Sequence, residues 1–383
     1  MNKKKIVKSI GSEAFIFLFL TVVGFAFIGG VMGTANMFST MMKTAHDLLL
    51  NTVFFIMAIS VLAGAVGALL IEFGVIALIN KVLSPLMKPL YNMPGAASIG
   101  VVTTYLSDNP AIITLAKDKG FARYFKRFQI PALTNLGTAF GMGLIVTTFM
   151  IAQAPAGQSY IKAAVIGNIG AVIGSVISVR IMLHFTKKKY GTELPAFEGE
   201  EAAYDVTKFR EIREGSLFQR WLEAVLDGGK TGVDMGLSII PGVIVICTLV
   251  MMLTNGPANG VYTGAAYEGV PVLPWIGAKL AFLVKPLLGF SSPEAIAFPV
   301  TALGAVGAAI GLVPKFISQG LIGPNEIAVF TAMGMCWSGY LSTHVAMMDL
   351  LDSRELTNRA ILSHTIGGLC AGIVANLMFK LLG

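Results

Sequence analysis

Leu86-Met87-Lys88-Pro89-Leu90-Tyr91-Asn92-Met93-Pro94-Gly95-Ala96-Ala97 returns 197 residues later as Leu283-Val284-Lys285-Pro286-Leu287-Leu288-Gly289-Phe290-Ser291-Ser292-Pro293-Glu294-Ala295-Ile296. In both places a short Gly/Ala/Thr-rich apolar stretch follows, then a break, a lysine and a long apolar span. A Pro- and Gly-interrupted apolar segment repeated in matching positions of two halves marks transporters whose discontinuous helices line a solute site.

Composition places both copies in a membrane. Of the 383 residues 55% are hydrophobic and 13% charged, with a mean hydropathy of +0.75, far from a soluble domain. Several windows exceed the roughly 18 apolar residues that a bilayer core requires. The first apolar stretch is too long for a cleaved leader and lacks a small-residue cleavage site. Cys247, Cys336 and Cys370 lie inside apolar stretches without metal-ligand spacing and read as inert buried thiols. The net charge of +7 sits at the ends of spans, where it sets topology and meets anionic headgroups, so nucleic acid is not an expected partner.

The expected fold is all-α and polytopic: two inverted repeats, each with a re-entrant helical hairpin, and about seven full spans. Residues 1–47 form an N-terminal helix and outer loop, and residues 48–186 the first repeat with its hairpin at 93–117. Residues 187–217 are a polar cytoplasmic linker, and 218–383 the second repeat with its hairpin at 291–315. Asn80–Lys88 and Phe218–Asp227 are expected as interfacial helices, with Trp221 anchored at headgroup level. Around Ser107-Asp108-Asn109-Pro110 the flanking arms are too short for two crossings and both ends are basic, which makes the segment a hairpin entering and leaving on one side. Of the 28 Lys and Arg, all but Lys43, Lys162, Lys279, Lys285, Lys315 and Lys380 then fall on the cytoplasmic side. That imbalance is what the positive-inside rule requires, and it turns the two repeats in opposite directions. The expected location is a bacterial inner membrane, with the N-terminus inside and the C-terminus outside. A homodimer or homotrimer is expected.

Asp108-Asn109-Pro110-Ala111-Ile112-Ile113-Thr114-Leu115-Ala116-Lys117 is similar to a segment of the membrane gate of ferrous iron transport protein B. Trp337-Ser338-Gly339-Tyr340-Leu341-Ser342-Thr343-His344-Val345-Ala346-Met347-Met348-Asp349 and Ser363-His364-Thr365-Ile366-Gly367-Gly368 resemble the YjiG family. From about residue 48 onward the chain thus resembles the gate-domain superfamily, which includes concentrative nucleoside transporters and spore maturation proteins, as a YjiH–YjiG fusion. The resemblance implies paired hairpins facing a central solute site. It does not carry iron or nucleoside specificity: no Gly-x-x-x-x-Gly-Lys-Ser/Thr and no Gly-Gln-Thr-Glu tip occurs.

Ionisable and polar groups at membrane depth are costly unless wet or paired, and so mark candidate sites. Ser107, Asp108 and Asn109 form the first hairpin tip, where Asp and Asn also serve as helix caps. Gly304–Gly311 is expected as the second tip, offering backbone groups rather than side chains. Ser292 and Glu294 start the second hairpin and carry a helix-start signature. Asn135, Thr138, Trp337, Ser338 and Thr343 lie in the spans that follow the hairpins. Asp108, His344 and Asp349 are the candidates for coupling to an ion, with His344 and His364 the histidines inside apolar spans. No His-Glu-x-x-His, Gly-x-Ser-x-Gly or Cys/His metal set occurs, so neither an enzyme nor a cofactor beyond a coupling proton or sodium is expected. The expected function is a secondary transporter of a small polar organic solute (nucleoside-like, amino acid or peptide). The alternative is a non-transporting assembly or signalling component of the spore-maturation type.

Overall fold

A computed structural model describes residues 8–109, 111–197, 205, 207–257 and 260–382. Pro110 of the first hairpin tip and residues 198–204 and 206 of the polar linker lie outside the described residues. Among the described residues the chain is helical, with one isolated bridge between Lys126 and Pro195 and no strand.

Among the described residues six helices are long and apolar enough to cross a membrane. They begin with α1 (Ser12–Met32) and α2, a single rod over Thr34–Glu72 with a wide π-type turn at Leu48–Val53. Residues 34–47, expected as loop, are thus helical: no Gly or Pro interrupts Thr34–Glu72 before Gly64, and the Thr40 and Thr44 side chains are buried. The amphipathic α3 (Val75–Tyr91) leads to the first hairpin, α4 (Ala97–Leu106) and α5 (Ala111–Lys117). A broken span follows, α6 (Ala132–Thr138) and α7 (Gly143–Ala152), then the long α8 (Ile161–Tyr190).

The second half repeats this order in the opposite sense. It has a 36-residue rod, α9 (Leu217–Met252), and an outer helix, α10 (Val272–Leu288). The second hairpin is α11 (Ala297–Ala302) and α12 (Val306–Ser318), and a second broken span is α13 (Pro324–Cys336) and α14 (Tyr340–Leu350). The chain closes on α15 (Thr357–Leu382). Two expectations change here. Phe218–Asp227 is the first third of α9 and not a separate interfacial helix, because Gly228, Gly232 and Gly236 continue the same helical stripe. The second tip is Leu303–Ala305, and residues 306–311 belong to α12. The Ala-rich run after Val306 contains no Pro before Pro314, so nothing stops the helix.

Equivalent rods of the two repeats pack in pairs. Where α2 crosses α9, a Cβ on Gly228 would lie 2.3 Å from the Gly64 carbonyl oxygen, and one on Gly232 would lie 2.4 Å from that of Ser60. Helices in lipid gain no hydrophobic driving force from each other, so small residues that admit close backbone contact supply the packing. The α8–α15 pair is built alike: a Cβ on Gly174 would meet the Gly367 carbonyl oxygen at 2.5 Å.

On the side of the linker, two clusters of ionic contacts pin the chain. Glu72, only 3% exposed, accepts from Arg213 Nη1 at 2.7 Å and Arg220 Nε at 2.7 Å, and Arg213 also reaches Asp227 at 2.9 Å. Eight residues before Arg213, Asp205 accepts from the Thr207 hydroxyl at 2.6 Å and amide at 2.9 Å and from the Tyr124 hydroxyl, with Arg123 at 3.9 Å and Lys208 at 3.5 Å. Residues 207–213 therefore strap the segment after the first hairpin to the end of the α2–α9 pair. Hydrogen bonds from Thr207, then Tyr124, hold the Asp205 carboxyl well below the usual carboxylate range.

Candidate functional site

Each hairpin tip is seated on the break of the span that follows it. The first arm α4 ends at Ser107, whose hydroxyl turns back to the Thr103 carbonyl at 2.6 Å and whose own carbonyl accepts from the Met142 amide at 3.2 Å. Met142 stands in the left-handed region (φ 55) just before α7 begins. In the second repeat, the Ala302 carbonyl accepts from the Gly339 amide at 3.3 Å and the Leu303 carbonyl from the Leu341 amide at 3.2 Å, where α14 begins. Orphan carbonyls at the end of a hairpin arm are thus met by orphan amides at the start of a half-helix, twice over. Non-helical backbone survives at membrane depth because its polar groups find such partners.

One side chain joins the two seats. Asn109 donates through Nδ2 to the Ser338 carbonyl at 2.9 Å and lies 3.4 Å from the Thr343 hydroxyl. The Ser338 hydroxyl donates to Asn109 Oδ1 at 2.8 Å and also lies 3.0 Å from the Thr138 carbonyl. A Cβ on Gly141 would sit 1.5 Å from Asn109 Oδ1, so residue 141 must be glycine for this contact to form. The Gly141-Met142-Gly143 run was the sequence signal for this break, since paired glycines interrupt a helix. Asp108 is half-buried beside the junction and its Oδ1 accepts from the Asn109 amide at 2.7 Å. Its backbone carbonyl accepts from the Ala111 amide at 3.0 Å, where the second arm begins.

Open volume adjoins the junction. A cavity of about 410 Å³ between α5 and α14 is lined by Ile113, Thr114, Lys117, Thr343, Ala346, Met347 and Leu350. Thr343, which lies 3.4 Å from the Asn109 amide nitrogen, is the lining residue that this cavity shares with the junction.

The other expected residues fall in three places. Asn135, fully buried, donates to Ser178 Oγ at 2.9 Å and to the Ala360 carbonyl at 3.0 Å, which fastens α6 to α8 and α15. Thr138 bonds its own turn through its hydroxyl at 2.8 Å and serves the junction only with its carbonyl. Trp337 stands in the break of the second span and donates from its indole to the His364 carbonyl at 3.3 Å. Ser292 and Glu294 are at the far end of the second hairpin's first arm from its tip and do not meet Asn109; Glu294 lines an outer cavity instead.

The expected coupling trio is not one unit. Asp349 pairs with Arg354 at 3.7 Å near the end of α14. His344 is fully buried against His364, ring centroids 4.9 Å apart, with Tyr340 at 5.5 Å, and neither ring nitrogen of His344 has a hydrogen-bond partner of good geometry. His364 is fully bonded, through Nδ1 to Ser178 Oγ at 2.9 Å and through Nε2 to the Cys336 carbonyl. The pairing of the two histidines, 20 positions apart on separate helices, needed the fold to be seen. No group of three or more His, Cys, Asp or Glu side chains suited to a metal ion occurs among the described residues.

No family model matches the chain. In sequence it is 25% identical over 240 residues to an uncharacterised protein of Alkalihalophilus pseudofirmus, a match covering 60% of this chain and 50% of that protein. The chain thus spans about half the length of the curated relative it matches. In structure it is similar to CNTnw in an inward-facing substrate-bound state, with a TM-score of 0.52 and 14% identity over 95% of this chain and 85% of the other. It is similar to substituted forms of CNTnw in an outward-facing state (TM-score 0.53, 14% identity, 96% and 86% covered) and in an intermediate state (0.52, 14%, 95% and 85%). These solved structures are of CNTnw, a concentrative nucleoside transporter, and the chain has that membrane fold.

Proposed function

We propose that this chain is a secondary active transporter that carries a small polar organic solute past the Asn109–Ser338 junction by alternating access of its two inverted repeats. The observation that carries this reading is the polar contact between the first hairpin tip and the break of the second repeat's span, where the second hairpin tip is also seated, with a cavity beside it at Thr343. Ser107, Asp108, Asn109, Ser338 and Thr343 are the solute-facing groups. Asp108 and the His344–His364 pair are the groups through which a proton or sodium gradient acts. The solute is nucleoside-like, an amino acid or a peptide. The resemblance to YjiH and YjiG joined in one chain supports a bacterial inner membrane, with the linker in the cytoplasm and residues 260–271 outside.

Purified protein in liposomes should take up a member of a nucleoside, amino-acid and peptide panel only when a proton or sodium gradient is imposed. Asp108→Asn should abolish uptake while leaving expression and Tm near wild type, because the amide keeps the volume and an oxygen that can accept from the Asn109 amide. Folded protein that moves nothing in the panel, or an Asp108→Asn variant that transports normally, overturns the reading.

A further inference from the structure

A second built cavity, of about 320 Å³, lies between the loop after α9 and the second hairpin, at the end of the molecule away from the linker. That volume is at the lower end of small-molecule sites. Its hairpin wall carries charges of both signs. Glu294, half-buried at the start of the second hairpin's first arm, and Lys315, half-buried in α12, both line it. No salt bridge joins them, and neither side chain has an ion-pair or hydrogen-bond partner among the described residues. Lys315 Nζ stands 4.8 Å from the centre of the Tyr267 ring, and Tyr267, Pro271 and Leu321 give the cavity an apolar side.

The opposite wall is held rigidly. Glu268 is spent inside the loop, accepting from the amides of Thr263 at 3.0 Å, Gly264 at 2.9 Å and Ala265 at 3.3 Å and from the Thr263 hydroxyl at 2.9 Å. These bonds hold the Glu268 carboxyl below its ordinary range despite the desolvation that opposes them. Tyr267 stands at φ 67, a left-handed backbone that a bulky residue adopts only under constraint. The constraint is visible: its amide donates to Thr44 Oγ1 at 2.8 Å and its hydroxyl to Asp47 Oδ2 at 2.5 Å, both on α2. Strained backbone fixed from outside, beside two half-buried charges with no ion-pair or hydrogen-bond partner among the described residues, is the arrangement of a preorganised ligand site.

We propose that this cavity binds a zwitterionic amino acid, its ammonium on Glu294, its carboxylate on Lys315 and its side chain against Tyr267 and Leu321. This rests on the transport reading for its sidedness, which makes it the outer face. A bound amino acid would tie the second hairpin to the loop anchored on α2, and so hold that hairpin in place while occupied.

The test is equilibrium binding of radiolabelled leucine and glutamine to the purified full chain, competed by leucine, leucine methyl ester (no carboxylate) and N-acetyl-leucine (no ammonium). Leucine or glutamine should bind and be displaced by free leucine at least about tenfold better than by either blocked analogue. Lys315→Met should remove the advantage of leucine over its methyl ester, and Glu294→Gln its advantage over N-acetyl-leucine. Binding that ignores both charge substitutions, or blocked analogues that compete as well as leucine, overturns the proposal. The analogue comparison decides the matter in wild-type protein should a variant fail to fold. Uptake of a solute by protein that binds neither amino acid refutes this site alone, and amino-acid binding without any uptake refutes the transport reading alone.

Discussion

Asn109 and Ser338, 229 positions apart, exchange two hydrogen bonds, the amide donating to the serine carbonyl at 2.9 Å and the serine hydroxyl to the amide oxygen at 2.8 Å. One residue belongs to the tip of the first hairpin and the other to the broken span of the second repeat. With the Thr343 hydroxyl 3.4 Å from the same amide nitrogen, the pair is a direct side-chain clasp between the two repeats at the breaks described above. Under the proposed function, any motion that alternates access has to break or carry this clasp.

Both members are buried, so removing one leaves the other's polar atoms unsatisfied. Asn109→Ala and Ser338→Ala should each cost about 1–3 kcal/mol. The double variant should cost less than their sum by about 1 kcal/mol or more, as expected for neighbours that share one interaction. Denaturation in mild detergent measures the cycle. Strict additivity would mean that the two side chains do not act on each other.

The histidine pair separates a packing role from a charge-carrying one. His364 has both ring nitrogens engaged, so His364→Gln should lower Tm more than His344→Gln, whose parent has no well-formed bond to lose. His344→Gln should instead change the pH dependence of proton-driven uptake. Equal loss of Tm in the two variants with an unaltered pH profile would reduce both residues to packing.

Glycine substitutions in α9 should divide by face. A Cβ on Gly232 would lie 2.4 Å from the Ser60 carbonyl oxygen and 2.5 Å from the Val61 Cα, atoms that cannot move without parting the helices. On Gly229 its nearest neighbour would be a Val61 methyl at 3.6 Å, an ordinary contact. Alanine improves helix propensity by about 1 kcal/mol at either site. Gly229→Ala should therefore be neutral or stabilising, while Gly232→Ala should lose about 1–3 kcal/mol through overpacking in spite of that gain. Thermal melts of the two variants side by side are the check.

The linker strap should respond to acid with a definite sign. Asp205 has its folded pKa lowered, by its bonds from Thr207 first, so the ordering it provides is complete above the unfolded carboxylate value near 4 and is lost only as pH falls below it. A spin label on exposed Phe209→Cys, with the three native cysteines removed, should stay ordered from pH 7 to about 4 and loosen below. In an Asp205→Asn background the label should be mobile at every pH. At the other end, Glu72→Gln should cost about 2–4 kcal/mol. It strands two arginines around a buried site, and Arg213, 30% exposed, recovers part of the loss from water.

Sidedness is checked by labelling. Leu194→Cys and Val261→Cys, both exposed, should react with a membrane-impermeant maleimide from opposite sides of the bilayer. Reaction of both from one side would contradict the orientation read from the basic residues.

What the sequence alone determined was the part of the fold written in local pattern. The apolar spans, the duplicated Pro- and Gly-interrupted segments and the basic ends are each set within some 25 residues, because hydrophobic burial and helix breaking act along the chain. Asp108-Asn109 stood out for the same reason: a polar pair inside an apolar run is legible wherever it points. The tertiary structure alone decided which polar residues meet. Asn109 joins Ser338 while Asn135, equally polar and one turn before Thr138, fastens α6 to α8 and α15. The continuous run of α9 was likewise not written in its polar first turns, which read as interfacial. It follows from a glycine stripe whose partner, Gly64 and Ser60, lies more than 150 residues away. Glu294 was legible as a helix-start acid and Lys315 as a basic residue at a hairpin end, but they share one cavity only because a hairpin folds them against the loop that Asp47 and Thr44 hold. Contacts of that kind depend on the path of the backbone through three dimensions, and no local rule of helix, cap or hydropathy encodes it.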